Sequence, residues 1–178
     1  MVGITKIIYN MTKNKTAILL IIICISSCTG QTREKKFLAK YEFEDFSQYN
    51  NVSVFIRGRD REKNPIIMIN APYLIHDTSK VGLYVVTLDK NDHRIINTKW
   101  TLTEDCINAD TIKLQYLVQT FMRYKIPRLK VDKQGNVFVY LNDNETLALV
   151  KFANNNEFEK RNKEVKWIKI KQDWYKPR

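Results

Sequence analysis

Few residues in this chain have types that could do chemistry. There are two histidines, His76 and His93, each beside an aspartate, Asp77 and Asp92. Metal centres and acid–base machinery use imidazoles at recurring spacings, such as H-E-x-x-H on a helix. Neither histidine has such a neighbourhood, and His93 falls in a turn-like DKNDH segment where solvent exposure is expected. Cys106, in TEDCINAD, stands just before a helical pattern, and a helix N-terminus lowers a thiol's pKa. Glu104 and Asp105 beside it act the other way, and a nucleophilic thiol also needs a base that no motif supplies. The carboxylates of YEFEDF, Glu42, Glu44 and Asp45, could suggest a glycosidase pair. Such pairs are defined by separation in space, and an exposed strand face explains these residues equally well. DKNDH and DKQGN lack the full calcium-loop pattern and read as turns. The sequence therefore nominates no catalytic, cofactor or metal residue, and the chain is not expected to be an enzyme.

Basic residues rise above this background. The chain carries 30 Lys and Arg against 19 Asp and Glu. In IRGRDRE, Arg57, Arg59 and Arg61 recur at period two, which aims them to one side if a strand continues through them. The C-terminal stretch carries Lys166, Lys169, Lys171 and Lys176 interleaved with Trp167, Trp174 and Tyr175. Cations beside amphipathic aromatics suit an anionic lipid or glycan surface. A solvated strand face, with lysines discouraging edge pairing and tryptophans filling the core, accounts for the same pattern.

The N-terminus carries an address. From Ala17 to Ile25 the chain is continuously apolar, far short of the roughly 20 residues that span a bilayer. Lys6, Lys13 and Lys15 precede this run without any acid, and Ser26 and Ser27 follow it, the layout of a secretory signal. Met11 opens a more compact version of the same leader and is a candidate start. The exit, Ile25-Ser26-Ser27-Cys28, resembles the lipobox of bacterial lipoproteins. That resemblance covers residues 1–28 only. It implies cleavage before Cys28, a diacylglyceryl group on its thiol, and anchorage of the mature chain to a membrane of the cell envelope. More than one acyl chain makes such anchorage lasting. The following TGQTREKK has neither an aspartate next to the cysteine nor an acidic run. In a host with two membranes this points to the periplasmic face of the outer membrane.

Without residues 1–27 the chain keeps 27 Lys and Arg against 19 acids, a net charge near +8. Nucleic acid is a poor partner for an exported protein despite that charge. Cys24 leaves with the signal and Cys28 is acylated, so Cys106 has no disulfide partner and stability must come from packing.

The remaining length is one domain's worth. Residues 28–40 read as a lipidated, polar tether and 41–178 as one globular domain. Alternating or short apolar runs predict strands at 51–56, 65–69, 83–88, 94–100, 129–141 (a hairpin through Asp132–Asn136), 145–152 and 165–171, the last of the chain. One segment, about 110–125, has helical period: Leu114, Leu117, Val118 and Phe121 form a stripe that Ile112, Tyr116 and Met122 widen. Asp110 is its expected N-cap, and Pro127 closes its far end. Residues 153–164 read as a polar loop or a short exposed helix. The fold class expected is α+β, mainly an antiparallel sheet packed against that one helix. The function expected is a membrane-anchored, non-catalytic protein-binding or adaptor lipoprotein, with an immunity protein as a special case. Its partner would be an envelope or secreted protein. A basic module for anionic lipid or glycan, and an envelope enzyme using Cys106, His76 or His93, are the alternatives.

Overall fold

A computed structural model describes residues 32–71, 83–100, 110–144 and 146–178. Cys28, His76 and Cys106 lie outside them. Nine strands form one antiparallel sheet: β1 (Val52–Arg59), β2 (Pro65–Asn70), β3 (Leu83–Leu88), β4 (Ile95–Trp100), β5 (Arg128–Val131), β6 (Val137–Tyr140), β7 (Leu147–Lys151), β8 (Trp167–Lys171) and β9 (Trp174–Pro177). Their spatial order is β4-β3-β2-β1-β5-β6-β7-β9-β8. Three helices accompany it, α1 (Arg33–Tyr41), α2 (Thr111–Tyr124) and α3 (Asn155–Asn162). The sheet-dominated α+β picture holds, with three helices instead of one among the described residues.

The strands form because their apolar residues alternate at the two-residue period of the pleat. Val52, Val54, Ile67, Ile69, Tyr84, Val86, Leu129 and Leu149 are buried on one face, against α1 and α2. Fully burying such a side chain contributes roughly 1.5–3 kcal/mol. The opposite face carries a smaller cluster, in which Phe138, Val150 and Phe152 meet Tyr175, Trp167 and Phe158 of α3. The stretch 153–164, open between loop and helix in the sequence, is thus helical over Asn155–Asn162, and Phe158 is its apolar contact.

Several expectations need correction. Most of the stretch assigned to the tether is α1, whose Phe37, Leu38 and Tyr41 are buried, so packed structure includes residues ahead of 41. The run REKK masks one short apolar face. The YEFEDF carboxylates lie on no strand: Glu42 caps α1, and Glu44 and Asp45 follow in the irregular segment after it. The strand at 167–171 is not the last, because the chain turns at Gln172 (φ 43°) and returns as β9. Trp174 of β9 is fully buried, meets Phe37 and Phe46 edge-on, and donates its indole N–H to Glu42 O at 3.1 Å.

Two hairpins are closed by the same five-residue turn. In both Asp60–Asn64 and Asp132–Asn136, the aspartate Oδ1 accepts two backbone N–H groups, from Glu62 and Asn64 or from Gln134 and Asn136. The asparagine Nδ2 donates to the other carboxylate oxygen, at 3.2 and 3.0 Å. The fourth residue needs positive φ, supplied by Lys63 (68°) and Gly135 (86°). Each asparagine then ties its turn to a neighbour: Asn64 Oδ1 accepts from Lys90 N, and Asn136 Oδ1 from Ala153 N. These buried amides are satisfied from all sides, which removes the penalty for burying them.

Register gives the sheet two distinct ends. Phe55, Arg128 and Tyr140 lie in line across β1, β5 and β6. Beyond that line β1 runs on to its turn with β2, and the β6–β7 turn projects the same way. The β5–β6 turn lies at the other end, beside Trp174 and the β8–β9 turn. Helix α1 runs from the first end to the second. Arg33 Nη1 donates to Leu141 O (3.0 Å) and Asn142 Oδ1 (2.7 Å), whereas Glu42 meets Trp174.

Candidate protein-binding groove

The site grows out of the end of α1. After Glu42 the chain leaves the helix and is folded back by Asp45, whose carboxylate accepts from Ser47 N (2.8 Å) and Ser47 Oγ (2.9 Å). The Ser47 bonds, the backbone one foremost, hold that carboxyl below its usual pKa. A 3₁₀ turn, Ser47–Tyr49, follows. Phe46 and Tyr49 point inward, and the buried Tyr49 hydroxyl donates to Leu117 O at 2.9 Å, pinning the turn to α2. Tyr124 of α2 donates to Glu44 Oε1 at 3.0 Å. Burial raises the pKa of both tyrosines, so both stay protonated donors. Phe43 is left outside, 78% exposed.

Helix α2 supplies the facing wall. Asp110 caps it by accepting from Lys113 N at 3.0 Å, and Leu114, Leu117, Val118, Phe121 and Tyr124 are buried. Gln115 bridges to the β3–β4 turn, accepting from Ile95 N and donating to His93 O. Ile112 and Tyr116 do not widen the core stripe as the sequence suggested: they are 82% and 57% exposed. At helical period, 112, 116, 119 and 123 share a second face beside the buried one.

Between these walls the surface is concave. A cavity of about 700 Å³ is lined by Ile112, Tyr116, Leu117, Ser47, Gln48 and Asn50 among others. A second, about 490 Å³, lies between Phe43, Glu44, Asp45 and Tyr116, Arg123. A third, about 420 Å³, takes in Tyr116, Arg123, Asp92 and His93. Tyr116 lines all three, so they adjoin around its side of α2 as a grooved surface. Phe43 also borders a hollow of about 580 Å³ on its far side, with Lys133, Lys151 and Asp173 on the walls. Ile112, Tyr116 and Leu117 give the first cavity an apolar wall, while Glu44, Asp45, Asp92 and Arg123 bring both signs of charge to the other two.

The residues picked out in the sequence are dispersed. His93 is half-buried, not exposed, and sits at φ 58° in the β3–β4 turn, among the residues that line the third cavity. Arg57, Arg59 and Arg61 do not form one strand row. A bulge between Ile56 and Gly58 leaves Arg57 without a cross-strand partner, Arg59 donates to Lys63 O, and Arg61 lies in the turn. The C-terminal lysines split between the two faces of the β8–β9 pair. Lys171 is paired with the buried Glu42 carboxylate, Lys169 leans over Tyr175, and Lys176 stands opposite Ile168. Lys166 is exposed just before β8. Among the described residues no three His, Cys, Asp or Glu side chains gather as metal ligands, and no helix is long and apolar enough to cross a membrane.

The groove was missed in the sequence because Ile112 and Tyr116 are also compatible with a wide core stripe. A usable signal was present: four core residues already filled the helix's buried face.

No family model matches the chain, and searches of curated proteins and of solved structures return no match.

Proposed function

We propose that this is a lipid-anchored envelope protein that binds another protein through the groove between residues 43–50 and α2. The observation that carries the reading is the groove itself, where Phe43, Ile112 and Tyr116 are exposed around two adjoining hollows that share Tyr116. Exposed large apolar side chains are costly to leave in water unless something covers them, and clustered ones mark interaction sites. Phe43 and Tyr116 are the kinds of anchor that dominate binding energy when they enter a partner's pocket or take up its side chains. Anchorage at Cys28 follows from the lipobox resemblance and would keep this groove at a membrane, where an envelope or secreted partner passes.

The test is capture from a solubilised envelope with the mature lipoprotein as bait, compared with an Ile112→Asp, Tyr116→Ala variant. Both positions are exposed, so the variant is expected to fold. One protein retained in near-stoichiometric amount by the wild type, at low and high salt, and lost with the variant supports the reading. Retention that is equal for both proteins places the contact elsewhere and refutes the groove.

A further inference from the structure

We propose that the β1–β2 end of the sheet rests on anionic lipid of the membrane that holds Cys28, an inference that takes the acylation of Cys28 as its premise. With α1 beginning at Arg33, the tether shrinks from the dozen residues expected to four, 29–32. Fully extended, the step from Cys28 to Arg33 spans at most about 18 Å. That is shorter than the body it holds, so one region of surface must stay at the headgroups.

The structure identifies that region. Arg33 is fastened to Leu141 O and Asn142 Oδ1, which places the start of α1 beside the β6–β7 turn. The β1–β2 turn projects from the same end, and Lys90 N and Nζ, bonded to Asn64 Oδ1 and Glu62 O, tie the β3–β4 turn to it. Exposed here are Arg57, Arg59, Arg61, Lys63 and, on the first turn of α1, Lys35 and Lys36. Lys166 and Arg178, joined by a backbone hydrogen bond, lie at this end too. Asp92 is offset by Arg94, while the neutral donors that bond Asp60 and Glu62 leave those charges in place. The eight cations named still outnumber the carboxylates of these turns, Asp60, Glu62, Asp89, Asp92 and Asp143. Positive charge therefore predominates at the end where α1 begins, and cations within a Debye length of an anionic leaflet are attracted to it. Lys171, at the other end, is already neutralised by Glu42 and takes no part. Docked this way, the 43–50 wall of the groove stands at the end remote from the bilayer.

The experiment uses the mature lipoprotein in nanodiscs carrying gadolinium-chelate headgroups, with backbone amide broadening as the readout and the mass of the Cys28 peptide recorded alongside. On discs rich in phosphatidylglycerol, amides of 60–64 and 142–144 should broaden severalfold more than those of 133–136. The contrast should fall on phosphatidylcholine discs. It should also fall in an Arg57→Gln, Arg59→Gln, Arg61→Gln variant, in which the docked population drops on the order of a hundredfold. Equal or reversed broadening on the anionic discs overturns the orientation. A contrast untouched by lipid charge or by the three substitutions overturns the role of the cations. An unacylated Cys28 removes the anchor itself, a failure the mass distinguishes from the other two.

Discussion

At the scale of single residues, short polar side chains do the shaping. Asp45, Asp92 and Asp110 are exposed and Asp60 is half-buried, yet each accepts backbone N–H groups that the chain would otherwise leave unpaired. For Asp45, Asp92 and Asp110 those backbone bonds are the largest influence and hold the carboxyl below its ordinary pKa. For Asp60 partial burial pushes upward, but the bonds from Asn64 and Glu62 prevail. A depressed folded-state pKa means that the unfolded chain binds protons more readily, so stability falls as pH drops. These aspartates stabilise fully above about pH 5, and their contribution disappears as pH falls through about 4 toward the native values. Thermal midpoints should therefore stay level near neutrality and decline below about pH 4. An Asp110→Asn variant should show a shallower decline, because asparagine still caps α2 but does not titrate. An unchanged slope would show that the cap does not contribute.

At the scale of elements, α1 has more influence than its nine residues suggest. It packs across the sheet, joins Arg33 at one end to Trp174 at the other, and starts the groove. Leu38→Ala is expected to cost about 2–4 kcal/mol in urea unfolding, because it opens a cavity in the main core. A cost well under 1 kcal/mol would mean that α1 is peripheral, as the tether reading supposed. How well the sequence foretold each element follows from its length and the clarity of its period. The strand at 51–56 alternates, the one at 65–69 is a short apolar run behind a turn, and α2 has a cap, a stripe and a closing Pro127, so all three were readable. Helix α1 was hidden because three apolar residues in a basic run look like tether. Strand β9 was hidden because WYKP is four residues with no alternation to see. Lys171 looked like free surface charge, since nothing in the order of residues reveals that the chain returns Glu42 to its side. The groove depends on how α2 and the 43–50 segment meet, which no local pattern encodes.

At the scale of the whole molecule, the two ends of the sheet divide the work. One end gathers the start of α1, the β1–β2, β3–β4 and β6–β7 turns and a group of exposed cations. The other carries the 43–50 segment, where Phe43 stands outside the core and Tyr49 locks its base onto α2. The account rests on the groove meeting a protein partner in the envelope. The most direct test is a photoreactive amino acid placed at Ile112, with Lys169 on the β8 edge as the comparison, in the acylated protein in intact cells. The expected outcome is one discrete adduct from position 112, absent from position 169. No adduct from 112, or the same products from both positions, would contradict the account.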